Sequence, residues 1–274
     1  MNNLICWHNN NFKSIADVSV SILDFGYIHS DATYDVMKTK NQNILFYQKH
    51  LNRYTDSCKY FGFTPISNID TIAKDLLEKN NLDDAFVWVC NWRGTPPSGS
   101  PRDMTAIEHQ VVYVKPYYNI SNDKVSLTLD YNNRRVSDKS YPQRYKNFGW
   151  IELTKAQKYA DAQNLTSALV LDYNGFVTEG PGFGVCIVKN KQVYTPSENV
   201  LGSVTIEVVE DICRDLQIQF TRKPITPIEL YNADTVFICS TSGGITEVAK
   251  VDHKEYDENN VVIKQLQAHY NAYY

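Results

Sequence analysis

Apolar residues recur along this chain in two periods, one of three to four residues and one of two. In residues 48–61 they fall at Leu51, Tyr54, Cys58 and Phe61, a spacing that puts them on one face of a helix. Ile69–Lys79 continues in that period after Ser67-Asn68, residues whose side-chain oxygens cap helix starts. Val204, Val208, Ile212 and Leu216 mark a stripe over 204–216, and helices are also expected from about 148 to 163 and over 263–272. Short apolar, β-branched runs predict strands. Residues 4–7 and 12–15 flank an Asn-rich turn, and 38–43 with 44–47 read as a second hairpin. Further strands are expected at 85–91, 107–115, 125–129, 168–172, 176–178, 184–189, 192–194 and 235–240. Thr95-Pro96-Pro97-Ser98-Gly99-Ser100-Pro101 is dense in breakers and reads as a long loop. The polar run after Pro116 divides the chain into a small α/β domain at 1–117, a linker at 118–124 and a large domain at 125–274. Strands and helices mixed in this way predict an α+β arrangement in two parts.

Composition narrows the function classes. With 43% hydrophobic and 21% charged residues, the 274-residue chain can bury a core and is neither a disordered nor a coiled-coil sequence. Its 27 Lys plus Arg against 31 Asp plus Glu leave a net charge of −4, which gives no general reason to bind nucleic acid or an anionic membrane. No apolar run approaches the ~18 residues of a membrane span, and the N-terminus lacks the basic and apolar regions of an export signal. The six cysteines are scattered, form no CxxC, and several sit inside apolar runs, so buried reduced thiols and a cytoplasmic location are expected. The histidines show no metal-ligand spacing, and no metal is expected.

The candidate chemistry centres on an amine and a phosphate. Lys146 lies where a strand-like stretch gives way to a helix; a lysine partly withdrawn from water loses basicity, and its amine can then condense with an aldehyde. Glu179, on a Gly-rich turn directly after a strand, is placed to keep a pyridine nitrogen protonated. Val200-Leu201-Gly202-Ser203-Val204-Thr205 leads into a helix whose free N–H groups attract a dianion. Thr241-Ser242-Gly243-Gly244 offers hydroxyls and open backbone, and Arg53 a forked cation. Taken singly, each feature has an ordinary alternative: a surface lysine, an acidic turn, a capped helix, a polar turn, an exposed arginine. Neither glycine segment matches a nucleotide-binding motif.

Their order is more specific. His50-x-x-Arg53 is followed by Lys146, by a strand-turn-strand ending in Glu179-Gly180, by Tyr194-Thr195-Pro196, by the helix start and by Thr241-Ser242-Gly243-Gly244. This series resembles the fold-type IV pyridoxal-phosphate-dependent aminotransferases, which include branched-chain and D-amino acid aminotransferases, aminodeoxychorismate lyases and (R)-selective amine transaminases. The likeness runs from about Asp24 to Val248, and residues 26–36, 146–150 and 171–180 are most similar to the (R)-selective amine transaminases.

The resemblance implies a two-domain α+β fold of the D-amino acid aminotransferase kind, with the cofactor between the domains and a homodimer completing the pocket. It implies that Lys146 holds pyridoxal phosphate as a Schiff base and shuttles the proton, and that Glu179 pairs with the ring nitrogen. Arg53, the backbone N–H groups of Val204 and Thr205, Thr241 and Ser242 would bind the phosphate. His29, Tyr34, Val36 and Trp150 would shape the substrate pocket. The implied reaction moves an amino group from an (R)-amine or D-amino acid, or a branched-chain amino acid, to a keto acid. An aminodeoxychorismate-lyase-type reaction and a non-catalytic cofactor-binding paralogue are the alternatives.

Three features depart from the family pattern. Ser203 and Ile206 replace a glycine and an arginine at the phosphate helix, which is expected to restrict the turn and remove a cation. Trp88 stands where the amine transaminases carry an acidic pocket residue. No clear counterpart of their carboxylate-recognising arginine follows Arg93-Gly94, and Arg102 is the candidate substitute.

Overall fold

A computed structural model describes residues 4–117, 125–257 and 259–273; the linker expected at 118–124 lies outside the described residues. The chain forms two compact units. One holds the N-terminal part together with Tyr145–Gly149, and the other holds the stretch up to Arg144 and the chain from Trp150 onward.

The first unit contains β1 (Ile5–His8), β2 (Asn11–Ser14), a short helix α1 (Phe25–Ile28), β3 (Ala32–Lys40), β4 (Asn43–Ile44), α2 (Tyr47–Phe61), α3 (Ile69–Lys79), β5 (Ala85–Arg93) and β6 (Glu108–Pro116). Its sheet runs β2-β1-β6-β5-β3-β4 with every pair antiparallel. Alternation along the strands gives the sheet two different faces. Met37, Val87, Val89 and Val112 point to the side where Tyr54, Leu76 and Leu77 from the two long helices complete an apolar core. Each of these fully buried apolar side chains stabilises the unit by about 1.5–3 kcal/mol, and trimming Leu76 to alanine costs about 2–5 kcal/mol. Helix α2 stops at Gly62, whose left-handed φ of 72° lets its N–H reach the carbonyls of Cys58 and Lys59.

Strand β3 is longer than the sequence suggests: it begins at Ala32, whereas the pattern marks only 38–43. Thr33, Asp35 and Thr39 are all buried, so this strand carries polar groups where a period-two reading looks for apolar ones. The expected strand at 44–47 is likewise cut short, because α2 already begins at Tyr47. Residues 145–149 join the first unit although the sequence places them in the second: Asn147 bridges to Thr33, and the Thr33 hydroxyl donates to the Lys146 carbonyl at 2.6 Å.

The second unit contains β7 (Val125–Arg134), α4 (Ile151–Asp161), β8 (Ser167–Leu171), β9 (Glu179–Gly180), β10 (Phe183–Lys189), β11 (Gln192–Thr195), α5 (Val204–Asp215) and β12 (Phe220–Arg222). It continues through α6 (Pro227–Tyr231), β13 (Thr235–Ser240), β14 (Gly244–Val251), β15 (Lys254–Glu255) and α7 (Val261–Asn271). The sheet path is β12-β11-β10-β13-β14-β7-β8, with β9 on β10 and β15 on β14. Leu127, Leu169, Val185, Val236 and Val248 supply its main core, and α4 packs Leu153, Ala156 and Ala160 on Ala168 and Val170.

Here too some elements differ from the sequence reading. Helix α4 starts at Ile151, three residues later than expected, and ends at Asp161. Residues 176–178 form no strand; Val177 alone bridges Leu171 and Ile225. Strand β14 is absent from the sequence reading because its first residue, Gly244, belongs to a stretch read as an open polar turn. That turn is a tight one: Ser240 pairs with Gly244, and the Gly243 N–H donates to the Ser240 hydroxyl at 2.9 Å.

Candidate active site

Lys146 sits in an irregular segment anchored by its backbone to two elements of the first unit. Its N–H donates to Ser57 Oγ on α2 at 3.3 Å, and its carbonyl accepts from Thr33 on β3. The half-buried side chain extends over the Tyr34 ring, with Nζ 4.6 Å from the centroid. Tyr34 meets Phe148 edge-on at 5.2 Å and stacks on Trp88 at 5.5 Å, and Trp88 stacks in turn on Tyr113 at 5.8 Å. Register explains the grouping. Val36 pairs with Trp88, and Trp88 with Tyr113, so these side chains and Tyr34 share the sheet face opposite the helices. An amine beside an aromatic wall, with its backbone fixed at both polar groups, is positioned where it can serve as a nucleophile.

Arg53 lies on the other face of β3. Its Nε and Nη2 form a fork with Asp35 at 2.7 and 2.8 Å, and Asp35 also accepts from His50 Nδ1 at 2.9 Å. Asp35 and His50 are both fully enclosed. Burial opposes the charge on Asp35, but the Arg53 guanidinium and His50 outweigh it and hold the carboxyl well below its ordinary range. Burial likewise dominates at His50 and lowers its proton affinity, with Arg53 and Lys146 adding to that effect against the pull of Asp35. Asp35 and His50 were not among the residues singled out in the sequence, although His50 stands in the quoted His-x-x-Arg spacing.

His29 and Arg102 are exposed. His29 follows α1 and leans on Phe25, while Arg102 lies in the breaker-rich loop.

In the second unit Glu179 opens the β9–β10 hairpin. Gly180-Pro181-Gly182-Phe183 turns the chain with Gly182 at a φ of 85°, the left-handed position that a Pro-Gly type II turn requires. Glu179 is buried. Its Oε1 accepts from Arg135 Nε at 2.9 Å and Nη2 at 2.8 Å, and its Oε2 accepts the Leu201 N–H at 3.1 Å. Arg135 also pairs with Glu152 Oε1 on the first turn of α4. Burial works against the guanidinium charge, but the two carboxylates raise its pKa above the ordinary value.

Helix α5 begins close by in sequence. Ser203 is its N-cap at φ −76°, accepting the Ile206 N–H at 3.3 Å, so serine takes an ordinary extended conformation and does not restrict the turn as the sequence reading supposed. Helix geometry leaves the N–H groups of Val204 and Thr205 without intrahelical acceptors. Ile206 is buried over Gly184, where an added Cβ would stand 2.5 Å from its Cδ1. Gly184 pairs with Cys239, which places the start of α5 near the strand end that carries Thr241 and Ser242. Trp150, half-buried, immediately precedes α4.

Arg135, Glu152 and Asn199 are functional candidates that sequence reasoning missed. Asn199 ties Asp138 and Asp172 together, donating to Asp172 at 3.0 Å and accepting from the Asp138 N–H at 2.8 Å. Within the second unit, a buried carboxylate with a guanidinium partner and a capped helix start are groups of the kind that can meet a protonated ring nitrogen and a phosphate.

The chain is 26% identical over 261 residues to a putative branched-chain-amino-acid aminotransferase of Methanocaldococcus jannaschii, covering 92% of this chain and 90% of that one. It is 26% identical over 279 residues to the D-alanine aminotransferase of Staphylococcus haemolyticus, covering 97% and 96%. Its fold matches the branched-chain aminotransferase of Thermoproteus uzoniensis crystallised with norvaline, with a TM-score of 0.91 at 20% identity over 98% of this chain and 94% of that one. The pattern of the amino-transferase class IV family matches residues 32–251. The chain therefore belongs to the class IV aminotransferases, enzymes that work with pyridoxal phosphate.

Proposed function

We propose that this aminotransferase moves an amino group from a D-amino acid or (R)-amine to a keto acid, with Lys146 as the cofactor's attachment point and proton carrier. The observation that carries the reading is the Lys146 amine held over Tyr34 by a segment fixed to Ser57 and Thr33. When bound, pyridoxal phosphate supplies an aldehyde that takes up amino nitrogen and a ring that accepts electrons. Glu179 keeps the ring nitrogen protonated, and Arg135 and the Leu201 N–H orient its carboxylate. The N–H groups of Val204 and Thr205, the hydroxyls of Thr241 and Ser242, and Arg53 hold the phosphate; Asp35 fixes the plane of Arg53 for that task.

On the substrate side, Tyr34, Val36 and Trp88 present an apolar wall that favours a hydrocarbon or aryl substituent, so a branched-chain amino acid is the alternative donor. His29 and Trp150 are assigned to substrate recognition as well, and Arg102 to a substrate carboxylate. A second copy of the chain covers the exposed apolar side chains Ile22, Leu23, Tyr27 and Ile28, giving a homodimer. The six cysteines are unpaired and buried, which suits the reducing cytoplasm, and among the described residues no helix is long and apolar enough to cross a membrane.

Borohydride treatment of the yellow holoenzyme followed by peptide mass mapping should place the cofactor on Lys146; a label on another lysine overturns the reading. Donor and acceptor pairs that include both enantiomers of alanine and of an aryl amine identify the substrate class. Pyruvate release without a keto-acid requirement would instead mark an aminodeoxychorismate-lyase-type reaction, and a cellular role that survives Lys146→Ala would mark a non-catalytic use of the cofactor.

A further inference from the structure

The buried cluster of the second unit is unbalanced in charge. Arg135 is 5% exposed, Glu152 6% and Glu179 6%, so one guanidinium faces two carboxylates away from water. Formally the cluster carries −1. Glu152 Oε1 meets Arg135, but its Oε2, also buried, has no hydrogen-bond partner among the described residues. A buried carboxylate with an unanswered oxygen is costly unless a further positive charge comes near. Arg135 and Glu179 by themselves would form a closed neutral pair, with Glu179's remaining oxygen already taken by the Leu201 N–H.

We propose that Glu152 is a positioning residue that sets the charge of this cluster: by sharing Arg135 with Glu179, it leaves a net negative charge for a protonated pyridine nitrogen to neutralise. The inference rests on the reading that Glu179 pairs with that nitrogen, and it assigns a role to a residue outside the family pattern read in the sequence. Charges separated by low-dielectric protein interact far more strongly than in water, which sets the size of the effect.

The test is nitrogen NMR of the holoenzyme loaded with pyridoxal phosphate labelled with ¹⁵N in the ring, titrated over pH. The wild type should show a protonated ring nitrogen at neutral pH. In Glu152→Gln the midpoint of its titration should fall by about one pH unit or more, a tenfold loss of proton affinity. Glu152→Gln keeps the side-chain shape and the neutral Arg135–Glu179 pair, so it should fold. Adding Arg135→Gln to that variant restores the net charge of −1 and should return the midpoint toward the wild-type value. A residue that acts only by packing would not be rescued in this way. Should Glu152→Gln fail to accumulate, Arg135→Gln alone leaves two carboxylates and should raise the midpoint; an unchanged midpoint there overturns the role. A Glu152→Gln enzyme with the wild-type midpoint and normal visible absorption overturns the charge-setting role and leaves the proposed function standing. A wild-type protein that takes up no cofactor overturns both.

Discussion

Arg53 in the first unit and Arg135 in the second each join a largely enclosed ionic network, and the two networks have opposite make-up. Arg53 meets the Asp35 carboxylate and the His50 imidazole, which burial keeps short of protons. Around Arg135 there are two carboxylates. Asp35 offsets the charge of Arg53, and Lys146 is close enough to lower the proton affinity of His50; the Arg135 group carries a second carboxylate. On the proposed reading the same side chain would offer positive charge to an anion in one unit and moderate negative charge in the other. In both places the guanidinium is only as available as its carboxylates allow.

The largest disturbance to this contrast is removal of the amine on the Lys146 side. Lys146→Ala should lower transamination by more than about 10³-fold, in line with loss of a placed proton carrier, while steady-state assays and circular dichroism show the fold retained.

Next in size is Asp35→Ala, which leaves Arg53 buried without its carboxylate and should cost about 3–5 kcal/mol in urea unfolding. Because Asp35 is held below the ordinary value of 3.8, its contribution is fully present above that pH and disappears as pH falls through the lower folded value. The stability gap between wild type and variant should therefore stay constant from about pH 5 upward and narrow below about pH 4.

A smaller effect is expected from Arg53→Lys, which keeps the charge but loses the fork to Asp35. Affinity for pyridoxal phosphate measured by absorbance titration should fall about tenfold, consistent with a lost charge-assisted hydrogen bond.

His50 gives a change of about 1 kcal/mol, the size of one hydrogen bond. Its folded pKa is lowered, so the unfolded chain takes up a proton first as pH drops past 6.5, and stability falls in that window. His50→Asn, which can still donate to Asp35, should flatten the decline between about pH 6.5 and 5. Arg102→Ala is the mildest: the side chain is exposed, so unfolding should move by less than about 0.5 kcal/mol, and any effect should appear in KM for the keto acid.

What the sequence made legible follows from how cleanly each residue obeys its local period. Helices α2, α3 and α5 present unbroken apolar stripes and end within a residue or two of their expected limits. Strand β3 hides because Thr33, Asp35 and Thr39 occupy inward positions, and the inward position of Asp35 makes sense only once Arg53 and His50 are known to meet it. The same holds for the candidate site. Lys146 and Glu179 stand in recognisable segments, whereas Glu152 reads as an ordinary acidic residue at a helix start, where dipole and solvent both favour it. Its burial against Arg135 depends on a partner seventeen residues away and could not be seen from spacing. Ser203 shows the converse: a departure from the family pattern that looks restrictive in sequence is an effective helix cap in three dimensions.

The five residues Tyr145–Gly149 also bear on biosynthesis. The chain completes the strands of the first unit by Pro116, enters the second, and only then supplies the piece that rests on Ser57 and Thr33. A nascent polypeptide emerging from the ribosome can assemble that early sheet long before its lysine arrives. A gene cut near codon 120 would yield a first fragment with two vacant backbone anchor points and a second fragment carrying Lys146 on an internal loop between Arg144 and Trp150.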